Sequence, residues 1–120
     1  MKRFESLKKT EDFRAVYRKK RSRADKYFVM YVLENGKEIN RLGISVSKKV
    51  GNSVVRHRLF RLIREAIRLH EDEFNSGLDI VVIARESANP QKNPDKKELK
   101  CRDVERSLIH LSKLHKVTVS

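Results

Sequence analysis

Apolar positions along the chain change their period several times, and each change predicts an element. Phe13, Val16 and Tyr17 fall at i, i+3 and i+4, one face of a helix. Thr10 stands where an N-cap belongs, and Glu11 and Asp12 stand where a helix dipole favours acids. Residues 10–23 therefore read as a helix with a basic exit through Arg18, Lys19, Lys20, Arg21 and Arg23. Residues 27–34 are rich in β-branched and aromatic types and read as a strand. Asn35-Gly36 is the pair a tight hairpin prefers, because both residues tolerate positive φ. It predicts a second, antiparallel strand over residues 41–48. There Leu42, Ile44 and Val46 share one face. Gly43, Ser45 and Ser47 share the other, a low polar surface that another group can approach.

Gly51-Asn52-Ser53 breaks that strand and supplies an N-cap. Val55, Leu59, Leu62, Ile63 and Ala66 then form one apolar stripe, so residues 54–70 read as a helix. Residues 78–85 form a nearly continuous apolar run, the mark of an internal strand covered on both faces. Residues 86–97 hold both prolines and read as a surface loop. Residues 97–114 predict a last helix with Val104, Leu108, Leu111 and Leu114 buried. A strand that follows a helix predicts a βαβ crossover. The fold class is then an α/β (α+β) sandwich, a mixed sheet with helices packed on it, in one domain over residues 1–120.

Charge changes the picture. The 120 residues carry a formal net charge of +13, and the pI is near 10.2. A compact protein with that imbalance repels itself, which points to a polyanionic partner, with nucleic acid ahead of a membrane surface. The longest apolar run, residues 27–33, is far short of the roughly 18 residues a spanning helix needs. Residues 1–5 hold no signal-peptide core, so a cytoplasmic location is expected. Cys101 is the single cysteine. Lys100 and Arg102 flank it and would lower its pKa, but an incidental thiol is the better reading. His57, His70, His110 and His115 show no metal-ligand spacing, the acids are scattered, and no glycine-rich phosphate loop is present. No catalytic residue, metal or cofactor held by the protein itself is expected.

The cations are not evenly spread. At about 100° per residue, His57, Arg61, Arg64 and Arg68 fall in one arc opposite Val55, Leu62 and Ala66. Arg56 and Arg58 flank that arc, and Lys48 and Lys49 lead into it. Between Arg41 and Arg68 eight Lys or Arg face one acid, Glu65. A merely solvated face mixes signs to gain i,i+4 pairs, whereas this one stacks arginine on arginine. Arginine's planar fork suits phosphate and stacks on bases. A DNA major-groove module fits less well, because a strand rather than a helix precedes this helix.

The stretch Lys48-Lys49-Val50-Gly51-Asn52-Ser53-Val54-Val55-Arg56-His57-Arg58-Leu59-Phe60-Arg61-Leu62-Ile63-Arg64-Glu65 resembles the Arg-Asn-Arg signature of the bacterial ribonuclease P protein family. The resemblance extends to Leu7-Lys8-Lys9, to Glu11-Asp12-Phe13, to the run from Arg41 to Ser47 and to the run from Asp79 to Arg85. Two positions depart from it. His57 stands where the motif has asparagine, and Phe60 stands where lysine or another polar residue is common. The resemblance implies a sheet of about four strands with three helices and a left-handed βαβ crossover. It implies a protein subunit without catalytic residues. Its partners would be a catalytic ribonuclease P RNA that uses Mg²⁺ and the 5′ leader of precursor tRNA. It assigns RNA-subunit contact to Lys48, Lys49, Asn52, Arg56, His57, Arg58, Arg61, Arg64 and Arg68. It assigns the leader to Phe13, Tyr17, Ser22 and Tyr31. On residue type alone, Phe13 and Tyr17 read as ordinary core. The alternative function is a ribosomal or other structural RNA-binding protein. A protein-only nuclease would need an acidic cluster that is missing.

Overall fold

A computed structural model describes residues 4–119; residues 1–3, part of the N-terminal reading above, lie outside it. In chain order the elements are β1 (Phe4–Ser6), α1 (Thr10–Arg18), β2 (Ser22–Ala24), β3 (Phe28–Glu34), β4 (Asn40–Ser45), α2 (Ser53–Leu69), β5 (Leu78–Ala84) and α3 (Cys101–Leu114). Short 3-10 turns at Glu71–Glu73, Glu86–Ala88 and Pro90–Lys92 occupy the connections. No helix among the described residues is long and apolar enough to cross a membrane.

The strands form one five-stranded mixed sheet in the order β1-β4-β5-β3-β2. The apolar run of residues 78–85 is its central strand. Ile80, Val81 and Val82 are all fully buried, as a strand covered on both faces requires. β5 lies parallel to β4, with α2 as the crossover between them, and antiparallel to β3. The expected hairpin at Asn35-Gly36 is therefore corrected. Gly36 does turn with φ +72°, but β3 and β4 are separated by β5 and never pair. The tight hairpin joins β2 to β3, where the Asp25 carboxylate accepts from the N–H groups of Tyr27 and Phe28 at 2.9 and 2.8 Å. The expected count of about four strands becomes five. Three of them are the strands the apolar pattern predicts, and β1 and β2 are the other two.

One face of the sheet carries the larger core. Phe28, Met30 and Val32 of β3 and Ile80 and Val82 of β5 meet Leu59, Ile63 and Ile67 of α2 and Val104, Leu108 and Leu111 of α3. Truncating any one of these leucines or isoleucines to alanine costs about 2–5 kcal/mol. Leu114, expected in the stripe, is 41% exposed because α3 ends there. The helix begins at Cys101 rather than Lys97, and the Asp103 carboxylate accepts from the Lys100 N–H at 2.9 Å. Burial and the nearby Glu105 push the Cys101 thiol pKa up, opposite to the lowering that its basic sequence neighbours suggest.

The other face carries α1. Its N-cap is Lys9, with no side-chain cap, so Thr10 is the first helical residue rather than the cap. Lys20 at φ +57° ends it. Val16 packs on Val81 and Leu7 in a second apolar cluster. Arg41, counted above with the cationic patch, belongs here instead. It lies beside Asp79 across the β4–β5 pair. Its Nε and Nη2 donate to the two Asp79 oxygens at 2.8 and 2.6 Å, and its Nη1 donates to Asp12 of α1 at 3.3 Å. Asn35 adds a 2.8 Å bond to Asp79, whose side chain is 2% exposed.

Removing one member of a buried ion pair leaves the other charged and unpaired, at about 3–5 kcal/mol. Arg41→Ala is expected to lose that much in urea unfolding followed by helical circular dichroism. Combining it with Asp79→Leu is expected to recover part of the loss. A single variant as stable as the parent rules the clamp out.

A second prediction concerns pH. His70, at the end of α2, meets Glu105 of α3 at 2.9 Å and also the Glu73 carboxylate. Burial lowers its pKa, but the bonds to Glu105 and Glu73 outweigh burial and raise it above the ordinary value of about 6.5. A raised folded-state pKa contributes stability that is complete below about pH 6.5 and is lost as pH rises through the folded value. The urea midpoint is expected to fall across that range in the parent and to fall less in His70→Gln. Parallel profiles for the two proteins refute the pairing. His115 needs its own control, because burial lowers its pKa and its sign is opposite.

Candidate nucleic-acid interface

Two surfaces emerge, on opposite faces of the sheet. The first is the outer side of α2. The helix forms because Asn52 caps it, accepting from the Val55 N–H at 3.0 Å, and because its apolar stripe docks on the sheet. Gly51, just before the cap, sits in a tight place, since a Cβ there would come to 3.0 Å from Asn89 and Val55. Leu59, Ile63, Ala66 and Ile67 are buried, while Val55 and Leu62 are half-buried. The opposite side exposes His57, Arg61, Arg64 and Arg68, the arc the spacing predicts.

The remaining assigned cations are not equivalent. Arg58 is half-buried. It donates to the Leu99 carbonyl at 2.7 Å and lies 3.2 Å from Glu98, so it fastens the approach to α3. Arg68 forms a fork with Glu65 on its own helix, with its Nη2 2.5 Å from Oε1. Arg56 is half-buried, and its Nε has no hydrogen-bond partner. Lys48 and Lys49 are exposed in the turn before the helix. Lys92, from the proline-bearing loop, donates its ammonium to the Lys49 carbonyl and joins that group. Sequence reasoning missed Lys92. It lies 43 residues from Lys49, and no local spacing marks it.

The second surface lies between α1 and the sheet. Ser22, Tyr31, Val81 and Gly43 are successive partners across β2, β3, β5 and β4, so they form one transverse row on the α1 side. Tyr17 meets Tyr31 edge-to-face, with ring centroids 5.1 Å apart, and Phe13 lies 6.4 Å from Tyr17. The structure thus brings Phe13, Tyr17, Ser22 and Tyr31 to one place. All three rings are half-buried, so each packs and still offers surface. Burial, then the neighbouring Tyr31, raises the Tyr17 pKa and keeps its hydroxyl protonated at neutral pH. The low surface at Gly43 is met by the protein's own Phe13, since a Cβ on Gly43 would stand 2.6 Å from that ring. Among the described residues, no group of three or more His, Cys, Asp or Glu side chains is placed to hold a metal ion.

A mixed-sheet protein with an arginine face on one side and an aromatic cleft on the other is of the kind that meets a polyanion. Comparison specifies the kind: the chain belongs to the ribonuclease P protein family, whose family model, Ribonuclease P, matches residues 1–111. It is 53% identical over 116 residues to the ribonuclease P protein component of Lachnoclostridium phytofermentans, covering 97% of this chain and 93% of that one. The structure of the RNase P protein of Staphylococcus aureus superposes with a TM-score of 0.78 at 38% identity, covering 96% of this chain and 98% of that one. The RNase P protein of Thermotoga maritima gives a TM-score of 0.77 at 30% identity, with coverages of 91% and 96%.

The packing of Phe13 on Gly43 is open to test. Gly43→Ala forces the Phe13 ring to shift, and overpacking of this kind costs about 1–3 kcal/mol. Pairing it with Phe13→Leu is expected to restore most of that stability. Independent, additive effects in unfolding experiments exclude the packing.

Proposed function

We propose that this chain grips the catalytic RNA of ribonuclease P with the outer face of α2 and the 5′ leader of precursor tRNA with the aromatic cleft. The observation that carries the proposal is the division of chemistry between two faces. The α2 face offers exposed arginines, Arg61 and Arg64 among them, which suits the phosphates of a structured RNA. The cleft offers half-exposed rings. These suit unpaired bases, because every base has a face to stack, worth about 1–3 kcal/mol each. Catalysis and Mg²⁺ belong to the RNA in this reading. The described residues hold no cluster suited to the ion, so no cleavage step is assigned to a side chain. The protein's part is to offset phosphate repulsion and to hold the substrate. A cytoplasmic location goes with this role.

The test is reconstitution with a bacterial ribonuclease P RNA at low Mg²⁺, measuring cleavage of precursor tRNA. The protein is expected to raise the rate and the substrate affinity, and no gain in either sinks the proposal. Arg61→Ala with Arg64→Ala is expected to weaken RNA binding and to reduce its salt slope by about one for each phosphate no longer neutralised. Tyr17→Ala is expected to weaken leader-bearing substrate more than mature tRNA. Equal weakening of both returns the ring to a packing role.

A further inference from the structure

Phe60 stands on the outer side of α2, 39% exposed among cations. Three residues before it is His57 and four after it is Arg64, whose guanidinium carbon lies 5.8 Å from the ring centroid. The ring separates two recesses. The larger, about 440 Å³, runs from Phe60 and Arg64 to Phe4, Phe13 and Lys8 at the β1 edge. That volume falls in the range of about 300–1,000 Å³ usual for small-ligand sites. The smaller, about 330 Å³, is bordered by Ser53, Arg56 and His57. Ile44 of β4 borders both. β1 pairs only as far as Leu42, so the outer edge of β4 at Ile44 has no strand neighbour among the described residues.

We infer that this double recess takes one unpaired nucleotide of the RNA subunit, with its base in the larger hollow against Phe60 and its phosphate toward Arg56 and Arg64. The inference rests on the proposed RNA grip of α2 and adds a base-binding site to it. Three observations select a nucleotide as the occupant. The recess is continuous with the exposed arginines of α2, so a strand lying there brings its phosphates to the rim. Arg56 lines the smaller hollow, and its Nε makes no hydrogen bond within the protein, so the guanidinium is not committed to an internal acceptor through that atom. Glu5 of β1 and Glu71, two residues past the end of α2, also border the larger hollow. They repel phosphate and accept from a base amino group, which turns the backbone toward Arg64 and the base inward. An aromatic face with an arginine beside it is also the usual arrangement for stacking an extruded base.

The chain contains no tryptophan, so Phe60→Trp installs a single tryptophan, excited apart from the tyrosines, at the site. Titration of this variant with ribonuclease P RNA is expected to quench it at the concentration that gives binding. Phe60→Ala and Phe60→Leu are both expected to bind that RNA about 10-fold more weakly, the effect of losing one stacked base. Their unfolding curves should match the parent's. Binding restored by Phe60→Leu overturns the inference, because an apolar filler would then suffice. So do an unquenched tryptophan and a loss seen only with leader-bearing precursor tRNA. An altered sedimentation coefficient with unchanged RNA affinity also overturns it, by assigning the recess to a second copy of the chain. In each of these cases the parent protein still binds the RNA. If the parent does not bind, the proposed function fails instead.

Discussion

The fork of Arg41 on Asp79 is the contact on which the arrangement of the α1 face depends. Asp79 is a carboxylate in the middle of the sheet, and no apolar neighbour can satisfy it. Arg41 meets it from β4, Asn35 meets it from the loop after β3, and the third arm of Arg41 reaches Asp12 in the first turn of α1. Four parts of the chain, spread from Asp12 to Asp79, are thereby fixed to one point. Three of them set the alignment of the central strands. The fourth sets where α1 begins. Val16 then falls over Val81, Phe13 over Gly43 and Tyr17 against Tyr31. The hydrophobic effect holds α1 to the sheet, but it is non-directional and does not choose where along the sheet the helix lies. The bond from Arg41 to Asp12 does, because a charged hydrogen bond is directional and the bidentate fork on Asp79 holds the guanidinium that makes it.

The same fork shows how a strongly basic chain remains folded. Its charges divide into those with an acidic or carbonyl partner inside the molecule and those without one. Arg41, Arg58 and Arg68 each have such a partner. Exposed cations without such a partner lie on several parts of the surface, and one group of them, Arg61 and Arg64 with Lys48 and Lys49, gathers on one side of α2 and the turn before it. Net charge alone would treat all of them alike. The structure separates cations paired inside the molecule from cations that await a partner, and only the second group is expected to change the salt dependence of RNA binding.

What could be read from the sequence follows the same division between local and distant. α2 was legible to within one residue at each end, because its stripe, its Asn52 cap and its arginine arc are all local patterns. β5 was legible as a doubly covered strand from its apolar run. β1 and β2 were not, since each has three residues, polar or exposed for the most part, and exists only because a partner strand is already in place. The Asn35-Gly36 turn was recognised, but its consequence was misread. A turn fixes the path of two or three residues, while strand order is settled by what can enter between β3 and β4, and β5 is the most apolar candidate. Arg41 was read as part of a patch because an arginine does not display its partner 38 residues away. The gathering of Phe13, Tyr17, Ser22 and Tyr31 came from family resemblance. The physical reason for it, one transverse row beneath one helix, appears only with the register.

The two candidate surfaces lie on opposite faces of the sheet, yet they are not isolated. Phe13 belongs to the α1 cluster and also borders the recess beside Phe60. The β1 edge is short, so the sheet ends early on that side and leaves a path around its rim from one face to the other. A longer β1 would close the path by pairing with β4 as far as Ser45. The brevity of an edge strand is often a defence against unwanted pairing. Here it has a second effect, because it places an aromatic ring, an unpaired strand edge and the arginines of α2 around one opening. Such an opening suits an unpaired nucleotide better than a duplex, since a base can enter it only after leaving its stack.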